Sequence, residues 1–303
     1  MVFGHKKQIE FLNKIFFSEK IPHALMFEGL SGLGKKHLAI HYFKKINCPD
    51  KEPCNNCKNC VSVEKLNHPD ISLIEPKGKE IKIDQIKEIS HRISLCCHSS
   101  SLKWIIIDNA HLMNKEASNS LLKVLEEPNK NTVIILITDS SESIIDTIKS
   151  RVQRIKFFPL NEKEIEFILK NLNCNDKKIK EISSFSFGIP GKAIDFLENN
   201  QKIEERKNKI KKMLEILSSK TPFYLKFEYA KKISDDSDNL KETLEMWLSY
   251  LRNLLLQKSK EGKIDTSFYK TKKFLEEVDQ SIYLISKTNT NKRLIIENLI
   301  LSL

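Results

Sequence analysis

No apolar run in this 303-residue chain approaches the roughly 20 residues that a membrane-spanning helix needs; the longest candidates, residues 133–137 and 294–303, are short or broken by polar side chains. The opening residues Met1-Val2-Phe3-Gly4-His5-Lys6-Lys7 lack the apolar core and cleavage site of a secretory signal, so a cytoplasmic location with no membrane partner is expected. Neither an internal repeat nor a low-complexity tract is visible, which sets aside solenoids and disordered tails. With 40% hydrophobic and 30% charged residues, the composition is that of an ordinary globular protein long enough for two or three domains.

The net charge is +11, but it forms no single basic block. Two readings stand: contact with something acidic, most simply nucleic acid, or the lysine codon bias of an AT-rich genome. Seven cysteines are present, and four cluster as Cys48-x5-Cys54-x2-Cys57-x2-Cys60. In a reducing compartment that cluster argues for metal over disulfides. Two C-x-x-C steps sharing Cys57 can wrap a tetrahedral ion, with Cys48 closing the set. Four soft thiolates with no open position best suit a structural Zn²⁺. An iron–sulfur cluster and unligated thiols are the competing readings. Cys96, Cys97 and Cys174 have no partners at metal-binding spacing and read as buried or idle thiols.

The run Gly29-Leu30-Ser31-Gly32-Leu33-Gly34-Lys35-Lys36 is a phosphate-binding loop lacking its last letter. The pattern G-x-x-x-x-G-K-[ST] uses glycines so that backbone N–H groups can close on phosphates, a Lys for the β/γ-phosphates and a hydroxyl for Mg²⁺. Lys36 stands where the hydroxyl belongs, and an ammonium cannot ligate a metal ion. Downstream, a predicted strand at 104–107 runs into Asp108-Asn109-Ala110-His111, where a hydrolysing ATPase of this type carries Asp-Glu. Asp108 can still hold a metal, but the Asn109 amide cannot act as a base toward water. Gly29, Gly32, Gly34 and Lys35 either cradle ATP phosphates without a metal or belong to a purely structural loop filled by Lys36; loss of the hydroxyl favours the second. No ATPase activity is expected from the chain alone.

The first half alternates short apolar strands with helical periods, predicting a parallel sheet with crossover helices. Strands are expected at 24–27, 71–74, 104–107, 133–137 and 155–158, each buried on both faces. Asn114 is the expected N-cap of a helix with Ala117, Leu121, Val124 and Leu125 facing the core, stopped by Pro128. Short helices are expected at 161–172 and 176–185, with a break at Gly188-Ile189-Pro190-Gly191 and a third helix near 192–197. From about Gln201 on, every period is helical, with loops expected at 234–239 and 258–265. Apolar stripes run through Leu244, Trp247, Leu248, Leu251, Leu254 and Leu255, and through Leu294, Ile295, Leu299 and Leu303.

Several strings occur together: Pro22-His23-Ala24, the loop with its four-Cys insert, His68-Pro69-Asp70, Ile81-Lys82-Ile83-Asp84-Gln85-Ile86, Asn119-Ser120-Leu121-Leu122-Lys123-Val124-Leu125-Glu126-Glu127-Pro128, and Ser150-Arg151-Val152. This combination resembles the delta-prime subunits of the bacterial DNA polymerase III clamp loader, a family within AAA+, over roughly residues 1–200. The resemblance implies an α/β AAA+ P-loop core with a parallel sheet and flanking helices (1–159), a small helical lid (160–202) and an all-α collar (203–303). It implies a subunit that does not hydrolyse ATP, in a hetero-pentamer with gamma/tau and delta partners that places the sliding clamp on primed DNA. The Lys36 and Asn109 departures are those expected of delta-prime. Gly191 falls where gamma/tau subunits place a nucleotide-sensing arginine, and Thr138 where a γ-phosphate sensor would stand. The resemblance assigns Arg151 as an arginine finger acting in trans on a neighbour's γ-phosphate, with Val152 replacing only a packing Cys. An active gamma/tau-type ATPase is the alternative, and a zinc-containing DNA-binding regulator ranks last.

Overall fold

A computed structural model describes residues 4–17, 21–65, 67–94, 102–129, 131–218, 221–262, 265–287 and 290–302. The chain forms two compact units, one of residues 1–179 and 188–194 and the other of 180–187 and 195–303.

The first unit is built on five strands: β1 (Ala24–Glu28), β2 (Ile71–Ile74), β3 (Lys103–Ile107), β4 (Thr132–Thr138) and β5 (Gln153–Lys156). All are parallel, in the order β2-β3-β4-β1-β5, with Ile134 level with Ala24 on one side and Ile105 on the other. Parallel strands need crossovers, supplied here by α2 (Lys35–Asn47), α3 (Lys58–Glu64), α4 (Ile83–Ser94), α5 (Lys115–Glu126) and the short α6 (Asp146–Lys149), with α1 (Lys6–Phe16) preceding the sheet. Because side chains alternate along a strand, the sheet supports two cores. Leu25, Phe27, Trp104, Ile106 and Ile135 pack with Leu12, Phe16 and Tyr42 from α1 and α2. Met26, Ile105, Ile107, Ile134 and Leu136 pack with Ile86, Ile89, Leu121 and Leu125 from α4 and α5.

Burial on both faces holds for β1, β3 and β4 but not for the edges: most of β2 is only half-buried, and in β5 only Ile155 is buried. The fifth strand begins two residues earlier than its apolar period indicated, because Gln153, Arg154 and Lys156 lie on an edge where polar side chains can reach water. Phe157 is buried just beyond the strand, whereas Phe158 is 59% exposed. Asn114 caps α5, its Oδ1 accepting from Ala117 N at 2.8 Å. Ala117, Leu121 and Leu125 are buried, and Val124 only partly so.

Three helices follow: α7 (Glu162–Asn171), α8 (Asp176–Ser186) and α9 (Pro190–Glu198). A reciprocal capping box between Asn161 and Glu164 starts α7. The expected break before the third helix is shorter than its Gly-Pro-Gly spelling indicated: Pro190 is itself the first helical residue, a position where its missing N–H costs nothing. The break falls on Gly188, with φ +75° and its site of a Cβ only 2.2 Å from the Leu160 carbonyl oxygen.

The second unit adds α10 (Asn200–Ile216), α11 (Phe223–Asp235), α12 (Ser237–Lys260), α13 (Thr266–Lys287) and α14 (Lys292–Leu301). Its core centres on Trp247, fully buried among Tyr229, Leu244, Phe274, Val278 and Ile296. The expected loop at 234–239 reduces to Asp236 between two helices, and α12 runs on through Lys260, past the expected start of the next loop. Leu254 and Leu255 are only partly buried and Leu294 is 54% exposed, so each stripe narrows toward one end. Leu303, Cys96 and Cys97 lie outside the described residues. No helix among the described residues is long and apolar enough to cross a membrane.

Candidate functional site: a phosphate-type loop, a cysteine cluster and Arg151

The phosphate loop joins β1 to α2, the strand–loop–helix setting its pattern requires. Gly32 and Gly34 adopt φ of +79° and +85°, left-handed backbone that any other residue would enter only with strain. A cavity of about 220 Å³ lies against the loop, bordered by Lys35, Lys36, Asp108, Asn109, Thr138 and Asp139.

Inside it, both lysines are engaged. Lys36 Nζ lies 2.8 Å from Glu75 Oε1 and 3.3 Å from Asp108 Oδ2, so its ammonium is held between two carboxylates. Burial works against that charge, yet the hydrogen bond to Glu75 and the field of Asp108 hold the Lys36 pKa above that of a free lysine. Lys35, 5% exposed, folds back onto its own loop and donates to the carbonyls of Gly29 and Leu30, the latter at 2.7 Å. Burial pulls its pKa down to about 8, against the opposing pull of Asp139 and Asp108. Two ammoniums thus face Glu75, Asp108 and Asp139, and the site offers no surplus positive charge to a triphosphate.

The loop is also held from outside. Gly191 N donates to Gly32 O at 2.9 Å, and a Cβ on Gly191 would come within 3.0 Å of that oxygen. His5 Nε2 bonds the Leu33 carbonyl at 3.0 Å, with its ring edge-on to Phe157. Thr138 Oγ1 accepts from Ser140 N at 3.1 Å and lies 3.4 Å from His111 Nδ1, while His111 Nε2 is 3.1 Å from Asp139 Oδ1. Asn109 heads a short turn in left-handed backbone, its N–H donating to Asp108 Oδ1. Glu75, Asp139 and His5 carried no motif signal; they reach the loop only through the fold.

The four cysteines converge as their spacing predicts: the Sγ atoms of Cys48, Cys54, Cys57 and Cys60 all lie within 4.8 Å of one another, with Cys48 and Cys60 buried. The donor set fits a tetrahedral thiolate-bound ion such as Zn²⁺. Backbone N–H groups already point at the sulfurs, Cys57 N at Cys54 Sγ (3.3 Å) and Cys60 N at Cys57 Sγ (3.4 Å). The N–H groups of Asn56 and Cys57 pull the Cys54 thiol down to about 7, whereas burial pushes Cys60 up to about 12. The cluster is tied to α2 by Asn59 Nδ2 donating to Asn47 O (2.8 Å) and by buried Lys44, which bonds Asn55 (3.2 Å) and Glu64. Cys174 stands apart, half-buried.

Arg151 lies just beyond α6, its side chain 37% exposed. Its Nη1 donates to Thr147 O (3.0 Å) and Ser150 Oγ (3.3 Å), and its Nη2 lies 2.9 Å from Glu126 Oε1 at the end of α5. Val152 is buried in the core beneath α5, which anchors the backbone next to the guanidinium.

The sequence pattern of the family described as "DNA polymerase III, delta subunit" matches residues 4–161, just over half of the chain. The chain belongs to this family. A DNA polymerase III delta-prime subunit of Bacillus subtilis is 36% identical over 201 residues, covering 66% of this chain and 60% of that one. The delta-prime subunit of Haemophilus influenzae is 30% identical over 207 residues, covering 67% and 63%. A gamma subunit of Buchnera aphidicola from Schizaphis graminum is also 30% identical, over 225 residues covering 71% and 62%. The chain therefore spans about three fifths of the length of these relatives. Delta-prime and gamma subunits both stand among these relatives, so the family alone does not separate the two subunit types.

Proposed function

We propose that this chain is a delta-prime-type, non-hydrolysing subunit of a DNA polymerase III clamp loader, acting in the cytoplasm with gamma/tau and delta partners to load the sliding clamp onto primed DNA. In this reading residues 160–202 act as the lid and 203–303 as the collar. One observation carries the inactive half of the proposal: the Lys36 ammonium between Glu75 and Asp108. A nucleotide would have to bring Mg²⁺ to a carboxylate already neutralised by a tethered cation, or enter without a metal against Asp108 and Asp139. Asn109 then supplies no base. The bond from Gly191 N–H to the Gly32 carbonyl supports the same reading, since it ties a second segment to the loop whose N–H groups would meet phosphates.

Arg151 is the residue proposed to act, in trans, on a triphosphate held by the neighbouring subunit. Its exposure and the family's Ser-Arg pattern at Ser150-Arg151 support that role, and fingers of this kind contribute about 10³–10⁵ in rate at the site they serve. The test is DNA-stimulated ATP turnover by a complex reconstituted from this chain, gamma/tau, delta and the clamp. Arg151→Ala is expected to lower turnover sharply while the complex still assembles, and the chain alone to turn over no ATP. Unchanged turnover by the variant complex rejects the finger, and hydrolysis by the isolated chain rejects the inactive loop.

A further inference from the structure

Glu126 ends α5 within the string Leu125-Glu126-Glu127-Pro128, and the chemistry of the phosphate loop gives it no role. Its place is locally unfavourable, because a carboxylate in the last turn of a helix faces the negative end of the helix dipole. Its Oε1 lies 2.9 Å from Arg151 Nη2. On the other side of the guanidinium, Nη1 is bonded to the Thr147 carbonyl and to Ser150 Oγ, which itself donates to that same carbonyl at 3.0 Å. A guanidinium has five N–H donors. Its Nη1 makes two hydrogen bonds and its Nη2 an ion pair, which leaves the Nε–H uncommitted and open to a phosphate oxygen.

From this arrangement we infer that Glu126 is a positioning residue for Arg151, with Ser150 as its counterpart on the other side. This deepens the finger reading and rests on it. Arginine carries a long, flexible stem, and holding its head at two opposite edges removes rotamer freedom before the neighbouring subunit arrives. The carboxylate is itself half-exposed, so its contribution to the stability of the isolated chain is small. Its value lies in positioning: a finger displaced by about 1 Å can cost on the order of 10²-fold in rate. Glu126 touches no reacting atom and acts only through Arg151.

The test uses the same reconstituted complex, with assembly checked by size-exclusion chromatography, and a double-substitution cycle. Glu126→Ala is expected to lower kcat by about 10- to 100-fold while leaving KM for ATP within about twofold, since the contact it sets is made in the transition state. Glu126→Gln, which keeps an acceptor oxygen within reach, should recover part of the loss. With Arg151→Ala already in place, adding Glu126→Ala should lower the rate no further, because a residue that acts only through Arg151 has nothing left to position. A wild-type rate for Glu126→Ala beside a collapsed Arg151→Ala overturns the positioning role and leaves the finger standing. Losses that add in the double variant also overturn it, as would a faster Glu126→Ala complex, which would make the carboxylate a brake. Wild-type turnover by Arg151→Ala removes the finger, and the inference with it. If Glu126→Ala fails to assemble, the cycle is read from Glu126→Gln.

Discussion

His5 holds the phosphate loop by a single hydrogen bond to Leu33 O and does so from left-handed backbone, φ +51°, where histidine is among the residues least penalised. Burial lowers its pKa below the ordinary 6.5, although the Leu33 carbonyl and Glu164 work the other way. The folded state therefore binds fewer protons at this ring than the unfolded chain. Its contribution to stability is complete above the unfolded value and is lost as the pH falls below it toward the folded one. Melting temperature is accordingly expected to fall between about pH 7 and pH 5, with a shallower slope in His5→Gln. Some slope should persist, because burial lowers the His41 pKa in the same direction. Differential scanning fluorimetry across that range decides it, an unchanged slope meaning that His5 is not the titrating group. None of this was legible in the sequence, where His5 is one of eight histidines and carries no motif. Lys36 shows the opposite case: its chemistry was readable from one missing hydroxyl, whereas its partner Glu75 lies 39 residues away and required the sheet to bring it near.

Among the elements, the helix of the cysteine insert lends only Val63 to the core packed on the sheet. The seven-residue α3 is too short to persist alone, and its N-cap is the Cys57 sulfur itself. Binding an ion to the four thiols is thus binding free energy spent on folding the insert. One Zn²⁺ per chain is expected by elemental analysis. Cys60→Ser should abolish that stoichiometry, lower the melting temperature of the first unit by several degrees (about 1–3 kcal/mol in a unit of this size) and leave the sheet intact by circular dichroism. Full zinc content in Cys60→Ser would refute the site. The spacing of the ligands made this element legible, since each lies a few residues from the next. Edge strand β5 was harder to delimit. Its polar residues Gln153, Arg154 and Lys156 break the apolar period because only one neighbour, β1, covers them, and Arg154 finds Glu28 (2.8 Å) only through that pairing.

At the level of the whole chain, two units with separate cores imply that unfolding is not a single two-state event. Trp104 anchors one core and Trp247 another, both fully buried. The Trp247 ring stacks parallel on Tyr229 with centroids 6.3 Å apart, and deleting such a side chain costs about 3–5 kcal/mol. Trp247→Ala is therefore expected to lower one calorimetric transition by more than 10 °C (roughly 3–5 kcal/mol spread over a unit of this size) and to leave the other within about 1 °C. Equal shifts in both would show that the units unfold as one. The second unit also buries Arg206 between the rings of Phe187 (4.7 Å) and Phe196 (5.6 Å), and burial lowers its pKa to about 10. That stacking offsets part of the cost of a charge with unpaired donors at Nε and Nη2.

Local features of the sequence were sufficient for several features that depend on neighbours along the chain. The left-handed glycines of the loop, the four-thiol cluster, the Asn114 cap and the alternation of strands and helices all follow from residue type at short spacing, where backbone sterics and ligand geometry act directly. Tertiary structure decided what depends on distant partners: which strands became edges, that Glu75 and Asp108 share the Lys36 ammonium, that Gly191 closes on Gly32, and that Glu126 holds Arg151. Those pairings join positions from 25 to 159 residues apart. No local period encodes them, because each is made by the packing of a whole sheet and its helices rather than by the residues that end up in contact.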